Sequence, residues 1–135
     1  MKEEVAPPTT KNARATWLRY LLIALVIEKI IQHGFVTLAF YFDWGGIGET
    51  VAVNPRVLMF LGAGVAILFG LALWGLLKKK DWALGLITGL AIFDLIGEFV
   101  AQGRLDIVIN VSFLVALVLL ILVFLYRRQE RRATS

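Results

Sequence analysis

The sequence predicts an all-α protein, a bundle of four antiparallel helices that spans a membrane and leaves both termini in the cytoplasm. Three observations predict this fold class. The chain of 135 residues is 59% hydrophobic, its apolar residues form four long runs, and its lysines and arginines collect in alternate polar segments. Because about 20 apolar residues at a rise of ~1.5 Å cross a hydrocarbon core of ~30 Å, each run can span a bilayer.

The runs define the predicted domain organisation. The four predicted spans cover residues 16–42, 55–77, 82–101 and 107–126. They form one transmembrane domain, which follows a flexible cytoplasmic tail of residues 1–15 and precedes a basic cytoplasmic tail of residues 127–135. The first run is longer than the ~7–15 residue core of a signal peptide and ends without a small-x-small cleavage pattern, so we expect a retained membrane helix.

The connections between the runs predict how consecutive helices are arranged. The first connection holds Gly45, Gly46 and Gly48 before Pro55, which is typical of a turn-rich loop on the external side. The other two connections are so short that the helices they join must be antiparallel neighbours. An up-down-up-down bundle is therefore the simplest arrangement of the four spans.

The distribution of basic residues predicts the orientation. The lysines and arginines of the two tails, the start of the first run and the second connection are Lys2, Lys11, Arg14, Arg19, Lys78, Lys79, Lys80, Arg127, Arg128, Arg131 and Arg132. The other two connections hold only Arg56 and Arg104. The positive-inside rule then places both termini in the cytoplasm, and we expect a multi-pass protein of a prokaryotic cytoplasmic membrane.

The same distribution argues against a nucleic-acid partner, although the net charge is +4. The basic residues stand at the ends of apolar runs, where they set topology and meet anionic lipid. The residues predicted to contact lipid headgroups are Lys78, Lys79, Lys80, Arg127, Arg128, Arg131 and Arg132.

Small residues at a spacing of four predict close contacts between helices. Helices in lipid gain little from apolar burial against each other, so close backbone approach at small residues matters more than in water. The predicted packing residues are Gly62, Ala66 and Gly70 in the second run and Gly85, Gly89 and Gly97 in the third. The spacing leaves open whether these contacts form within one chain or between chains.

Polar and ionisable residues inside the runs are the candidate functional residues. They are Glu28, Lys29, Gln32, His33, Asp94, Glu98 and Asn110. A charge at the centre of a span costs about 2.5–3.5 kcal/mol on insertion, so these side chains must face the bundle interior, a partner or water. Asp94 and Glu98 share one helix face, and Lys29 and His33 share another.

Three interpretations of this polar layer compete. In the first, the basic and acidic side chains pair and hold the first and third helices in register. In the second, protonatable carboxylates at mid-membrane carry protons or cations. In the third, His33 binds a metal together with Asp94 and Glu98 in a redox or lipid enzyme. The chain has one histidine and no cysteine, and no nucleophile–base pair is recognisable, so we expect no enzyme and no cofactor.

The predicted function is that of an accessory or assembly subunit in a larger membrane complex. This prediction depends on four spans, very little sequence outside them and no cofactor motif. The expected partners are the lipid bilayer and either other membrane subunits or copies of this chain. The alternative is a small proton- or cation-coupled transporter or channel, which works as a homo-oligomer through the carboxylates of Glu28, Asp94 and Glu98.

Overall fold

The protein is all-helical across the residues that the structure, a computed structural model, describes, namely 10–102 and 111–134. Within these ranges there are four α-helices, one 3-10 helix and no strand. The α-helices are α1 (Thr10–Tyr41), α2 (Pro55–Leu77), α3 (Asp81–Gln102) and α4 (Val111–Thr134), and the 3-10 helix is Trp44–Thr50. The predicted all-α class is thus confirmed. Asn110 and Arg104 lie outside the described residues.

The four α-helices pack around one apolar core. α1 packs against α2 and α4, and α3 packs against the same two helices, so that each helix has two main neighbours. Every helix contributes to the core. Its fully buried apolar side chains include Leu22, Val26, Phe69, Ile87 and Leu119.

Local sequence explains where α2 begins and ends. Asn54 caps its first turn, because its side chain accepts a hydrogen bond from the backbone N–H of Arg56, and Pro55 takes the first helical position. At the other end the N–H of Lys80 donates to the carbonyl of Gly75, and the N–H of Lys79 donates to that of Leu76. This is the Schellman pattern, here with Lys79 in the left-handed conformation. The turn returns the chain directly into α3.

The connection between α1 and α2 is more ordered than a turn-rich loop. Gly45 and Gly46 have positive φ angles, which glycine adopts without strain, and Asp43 is left-handed as well. The Asp43 carboxylate accepts a hydrogen bond of 3.0 Å from the N–H of Gly48. The segment Trp44–Thr50 is thus 3-10 helical with a kink at Gly45 and Gly46, whose φ and ψ angles are not helical. The glycine content alone did not predict the 3-10 helix.

Two glycines make close contacts between elements. A Cβ atom at Gly62 would lie 2.8 Å from Oγ1 of Thr37 on α1, and one at Gly75 would lie 2.7 Å from the Trp82 ring on α3. Gly62 was among the predicted packing residues, whereas Gly75 was not. Ala66 is half-buried on α2.

The other predicted packing glycines have no close neighbour of this kind. A Cβ atom at Gly70, Gly89 or Gly97 would meet no atom within 4 Å among the described residues, and one at Gly85 would meet only the Arg127 guanidinium, at 3.7 Å. Their role in helix packing therefore stays a prediction.

Basic residues gather at one end of the molecule. The Arg19 guanidinium near the start of α1 donates to the carbonyls of Leu76 and Leu77 at the end of α2, at 3.2 and 3.3 Å. Carbonyls in the last turn of a helix lack the regular donor four residues further on, and a cation near a helix C-terminus also interacts favourably with the helix dipole. The exposed basic side chains at this end are Lys78, Lys79, Lys80, Arg127, Arg128, Arg131 and Arg132.

Two helices are long and apolar enough to cross a membrane, when only the described residues are considered. These stretches are Thr16–Tyr41, with 26 residues, and Pro55–Leu77, with 23 residues. By length and composition alone this is weak evidence for a membrane location, since core helices of water-soluble proteins can pass the same test.

Candidate functional site

An ion pair between α1 and α3 forms the centre of the candidate site. Lys29 Nζ lies 2.9 Å from Asp94 Oδ2, and the two side chains are 0% and 5% exposed. They are the buried charged residues among the described side chains. Because α1 and α3 have α2 and α4 as their main neighbours, this pair links two helices that lie diagonally across the core.

His33 completes the pairing of the Asp94 carboxylate. Its Nε2 lies 3.0 Å from Asp94 Oδ1, one turn of α1 beyond Lys29. When Asp94 is ionised, Nε2 carries the proton and donates to the carboxylate. The imidazole also stacks on Phe69 of α2, with ring centroids 5.8 Å apart. We call Lys29, His33 and Asp94 the buried ionic cluster.

Neighbouring polar groups on α1 orient the cluster. Lys29 Nζ donates a hydrogen bond of 3.1 Å to Gln32 Oε1, so the ammonium reaches both a carboxylate and an amide oxygen. Thr37 Oγ1 donates a hydrogen bond of 2.7 Å to the backbone carbonyl of His33. The same hydroxyl oxygen lies at the close contact with Gly62. The buried cation is therefore paired and hydrogen-bonded, as a charge in a low-dielectric interior must be.

Glu28 lies apart from this network. It is half-buried on α1, and its Oε2 atom is buried with no hydrogen-bond partner among the described residues. Glu98 follows Asp94 by one turn of α3, but the structure does not describe its side chain. Asn110 lies outside the described residues. The structure thus brings together Lys29, Gln32, His33 and Asp94 of the predicted polar layer.

The two oxygens of the Asp94 carboxylate are both paired within the protein. Each Asp94 oxygen faces a cationic or hydrogen-bonding nitrogen, and Lys29 has no exposed surface. The described residues include no group of three or more His, Cys, Asp or Glu side chains that could hold a metal ion. A cation at Asp94 would have to compete with the Lys29 ammonium. The hypothesis of a metal site formed by His33, Asp94 and Glu98 stays a prediction, since it needs the Glu98 side chain.

Sequence reasoning missed one contact of the site, between Phe69 and His33, and one contact elsewhere between α2 and α3, at Gly75. Phe69 is an ordinary apolar residue of α2, and nothing in its spacing indicates that it stacks on a histidine. Gly75 has no small residue four positions away that would continue the Gly62 stripe through it. Thr37, by contrast, stands four residues after His33, the spacing at which a threonine hydroxyl can reach a helix carbonyl.

Comparisons with protein-family models, with curated proteins and with solved structures give no match for this chain. The class of protein is therefore defined by its fold and site alone. Across the described residues it is an all-helical protein with two candidate membrane-spanning helices. A buried ionic cluster joins α1 and α3.

Proposed function

We propose that the chain is a multi-pass integral membrane protein in which all four α-helices span the bilayer. Its surface supports this proposal, because the helices expose large apolar side chains although their core is apolar as well. Large apolar side chains are exposed along every helix, including Ile31, Phe60, Ile96 and Ile121, each more than half exposed. The buried charged residues, Lys29 and Asp94, lie between the helices. Monomeric soluble proteins rarely expose contiguous apolar surface on this scale, whereas a bilayer covers it.

The ends of the helices support an orientation with both termini in the cytoplasm. The end that holds Arg19 also carries the exposed Lys78–Lys80 turn and the arginines after Tyr126. The other end carries exposed Asp43, Glu49 and Arg56. An excess of Lys and Arg marks the cytoplasmic side of a membrane protein.

This topology predicts a labelling pattern for single cysteines, which the chain lacks. Glu49→Cys should react with a membrane-impermeant maleimide added to intact cells. Lys80→Cys should react only after the membrane is permeabilised, because it lies at the opposite end of α2. Gel-shift detection of the labelled protein measures both, and the unaltered chain is the control. Equal labelling of the two cysteines in intact cells would refute the topology.

We further propose that the protein works as a non-catalytic accessory or assembly subunit of a membrane complex. The observation that carries this proposal is that the charges of the buried ionic cluster are paired with each other. Lys29 and Asp94 neutralise each other across the core, and His33 and Gln32 occupy further hydrogen-bonding groups. Such a cluster fixes helix register, as buried polar groups do in some proteins. The apolar outer faces of the helices then remain as the surface through which the protein acts.

Purification from native membranes in a mild detergent tests this function. We expect the protein to be recovered with other membrane polypeptides in fixed stoichiometry, as measured by native mass spectrometry. The same preparation after Lys29→Met should retain less of these polypeptides, because the variant is less stable. Recovery of the unaltered protein alone, as monomer or homo-oligomer, would contradict the proposal.

A proton- or cation-coupled carrier is the second candidate, and the exposure of His33 favours it. The His33 side chain is 16% exposed while Lys29 is fully buried, so the cluster is open to its surroundings only near His33. A carrier would need such an access route to an intramembrane carboxylate.

Flux measurements separate the two candidates. For the subunit proposal, we expect purified protein in liposomes to show no pH-dependent cation or proton uptake above that of empty liposomes. Asp94→Asn should then lower the thermal stability, because it removes one charge of a buried ion pair, and leave the background flux unchanged. Uptake by the unaltered protein that Asp94→Asn abolishes, with the helix content unchanged by circular dichroism, would establish the carrier and refute the accessory role.

A further inference from the structure

Arg127, on α4, reaches across to the backbone of α3. A Cβ atom at Gly85 would lie 3.7 Å from the Arg127 guanidinium, and both residues are exposed. Glycine has no side chain, so the guanidinium can lie close to α3 without being covered by it. Arg127 forms no hydrogen bond or ion pair with any of the described residues. Its donors are therefore available to a ligand at the junction of α3 and α4.

Neighbouring charged residues do not share this position. Arg19, at the same end of the molecule, donates to two backbone carbonyls of α2. Arg128 is exposed, but it follows Arg127 by one residue and so projects about 100° away around the axis of α4. Asp81, four residues before Gly85 on the same side of α3, is exposed and does not pair with Arg127. Arg127 is thus distinguished by its place against α3, not by its charge alone.

The aromatic residues at this end of the bundle indicate the depth of Arg127 in the proposed membrane. The rings of Trp74 and Trp82 lie 6.1 Å apart, and the two residues are 51% and 44% exposed. Tryptophan is enriched at the interface between the hydrocarbon and water. Because Gly85 follows Trp82 by about one turn, the Arg127 guanidinium lies at the depth of lipid headgroups. The exposed Lys78–Lys80 turn adds positive charge at the same end.

An exposed apolar surface continues from Gly85 towards the middle of α3. Gly89, Ile92 and Ile96 follow Gly85 by four, seven and eleven residues, so they share its side of the helix. Ile92 and Ile96 are 45% and 58% exposed, and a Cβ atom at Gly89 would meet no atom within 4 Å among the described residues. A ligand with a charged head at Gly85 would therefore find an apolar surface for its hydrocarbon part.

We propose that Arg127 and this face of α3 form a binding site for one anionic phospholipid, whose headgroup phosphate is held by the Arg127 guanidinium. The planar guanidinium matches phosphate oxygens in charge and geometry. The acyl chain lies along Ile92 and Ile96, which a soluble phosphate compound would leave uncovered. This inference rests on the proposed membrane topology and goes beyond general headgroup contact, because it assigns one lipid to one arginine.

Native mass spectrometry of the purified protein in detergent tests the site, with phosphatidylglycerol or zwitterionic phosphatidylethanolamine added. We expect one phosphatidylglycerol to be retained per chain at concentrations at which phosphatidylethanolamine is lost. Arg127→Gln should lower the affinity for phosphatidylglycerol about tenfold, in line with the loss of one hydrogen-bonded charge contact. The matched control Arg128→Gln removes the same charge one residue away and should change the affinity at most about twofold.

Glycine variants test the site without changing its charge. Gly85→Leu would place a side chain on the exposed surface beside Arg127 and should also weaken phosphatidylglycerol binding about tenfold, because it separates the phosphate from the guanidinium. Gly89→Leu lies one turn further along the same face, away from the phosphate, and should weaken binding less. Circular dichroism and gel filtration of each variant establish that the bundle is intact.

The outcomes separate this inference from the topology on which it rests. Equal effects of Arg127→Gln and Arg128→Gln, or equal retention of the two lipids, would show only general attraction to the basic end and overturn the inference. Release of phosphatidylglycerol by millimolar inorganic phosphate would also overturn it, since the site would then suit a soluble ligand. Each of these results leaves the topology in place when Glu49→Cys and Lys80→Cys label as expected. Equal labelling of those cysteines would refute the topology by itself.

Discussion

Lys29→Met is expected to destabilise the protein by about 3–5 kcal/mol, because it removes one partner of a buried ion pair and leaves the Asp94 carboxylate without its counter-charge. Methionine keeps an unbranched side chain of similar length, so little of the loss comes from packing. His33 still reaches Asp94 at 3.0 Å, but the Asp94 oxygen that faces Lys29 at 2.9 Å loses its ammonium partner. Denaturant unfolding in detergent or lipid bicelles, followed by circular dichroism, measures the change.

The double variant Lys29→Met/Asp94→Asn is the decisive control for this prediction. It lacks both charges, and the asparagine retains a hydrogen-bonding group for His33. Replacing a complete buried pair is often neutral or stabilising, whereas breaking one is not. We therefore expect the double variant to recover most of the lost stability. A double variant that is no more stable than Lys29→Met alone would show that the two charges do not act as a pair.

The helices of this fold were predictable because each has a strong local signal. The second and third apolar runs agree closely with the limits of α2 and α3, and Asn54 followed by Pro55 marks the start of α2. By contrast, α1 begins at Thr10, six residues before the first run, and α4 continues to Thr134, into the predicted basic tail. The 3-10 helix was not predictable from glycine content. The segment contains a hydrogen bond from the Gly48 N–H to the Asp43 carboxylate, and a side-chain hydrogen bond of this kind leaves no periodic pattern in the sequence.

The candidate site was predictable in part, for a physical reason. A charged side chain in an apolar run needs a partner, because an unpaired buried charge is costly, so pairing of Lys29 with Asp94 was among the expected arrangements. Which of several acids Lys29 would meet depends on the rotation and depth of α3 relative to α1. Those quantities are set by packing contacts such as Phe69 on His33, and spacing along one helix does not encode them.

The close approach of α1 and α2 at Gly62 gives the second large effect. Gly62→Leu should destabilise the protein by about 1–3 kcal/mol, because an added Cβ atom would lie 2.8 Å from Thr37 Oγ1. The Thr37 hydroxyl cannot move away freely, since it donates to the carbonyl of His33. The two helices must separate or that hydrogen bond must break, and either change disturbs the backbone that carries His33. Thermal unfolding in detergent measures the loss.

Gly70→Leu, eight residues further along the same helix, is the matched control. A Cβ atom there would meet no atom within 4 Å in the described part of the chain, so we expect leucine to be tolerated better at position 70 than at position 62. In a Thr37→Ala background, Gly62→Leu should cost less, because the clashing oxygen is gone. Equal losses at positions 62 and 70 would mean that leucine is poorly tolerated on α2 in general. The contact with Thr37 would then not be what holds α1 against α2, and His33 would owe its place beside Asp94 to the core alone.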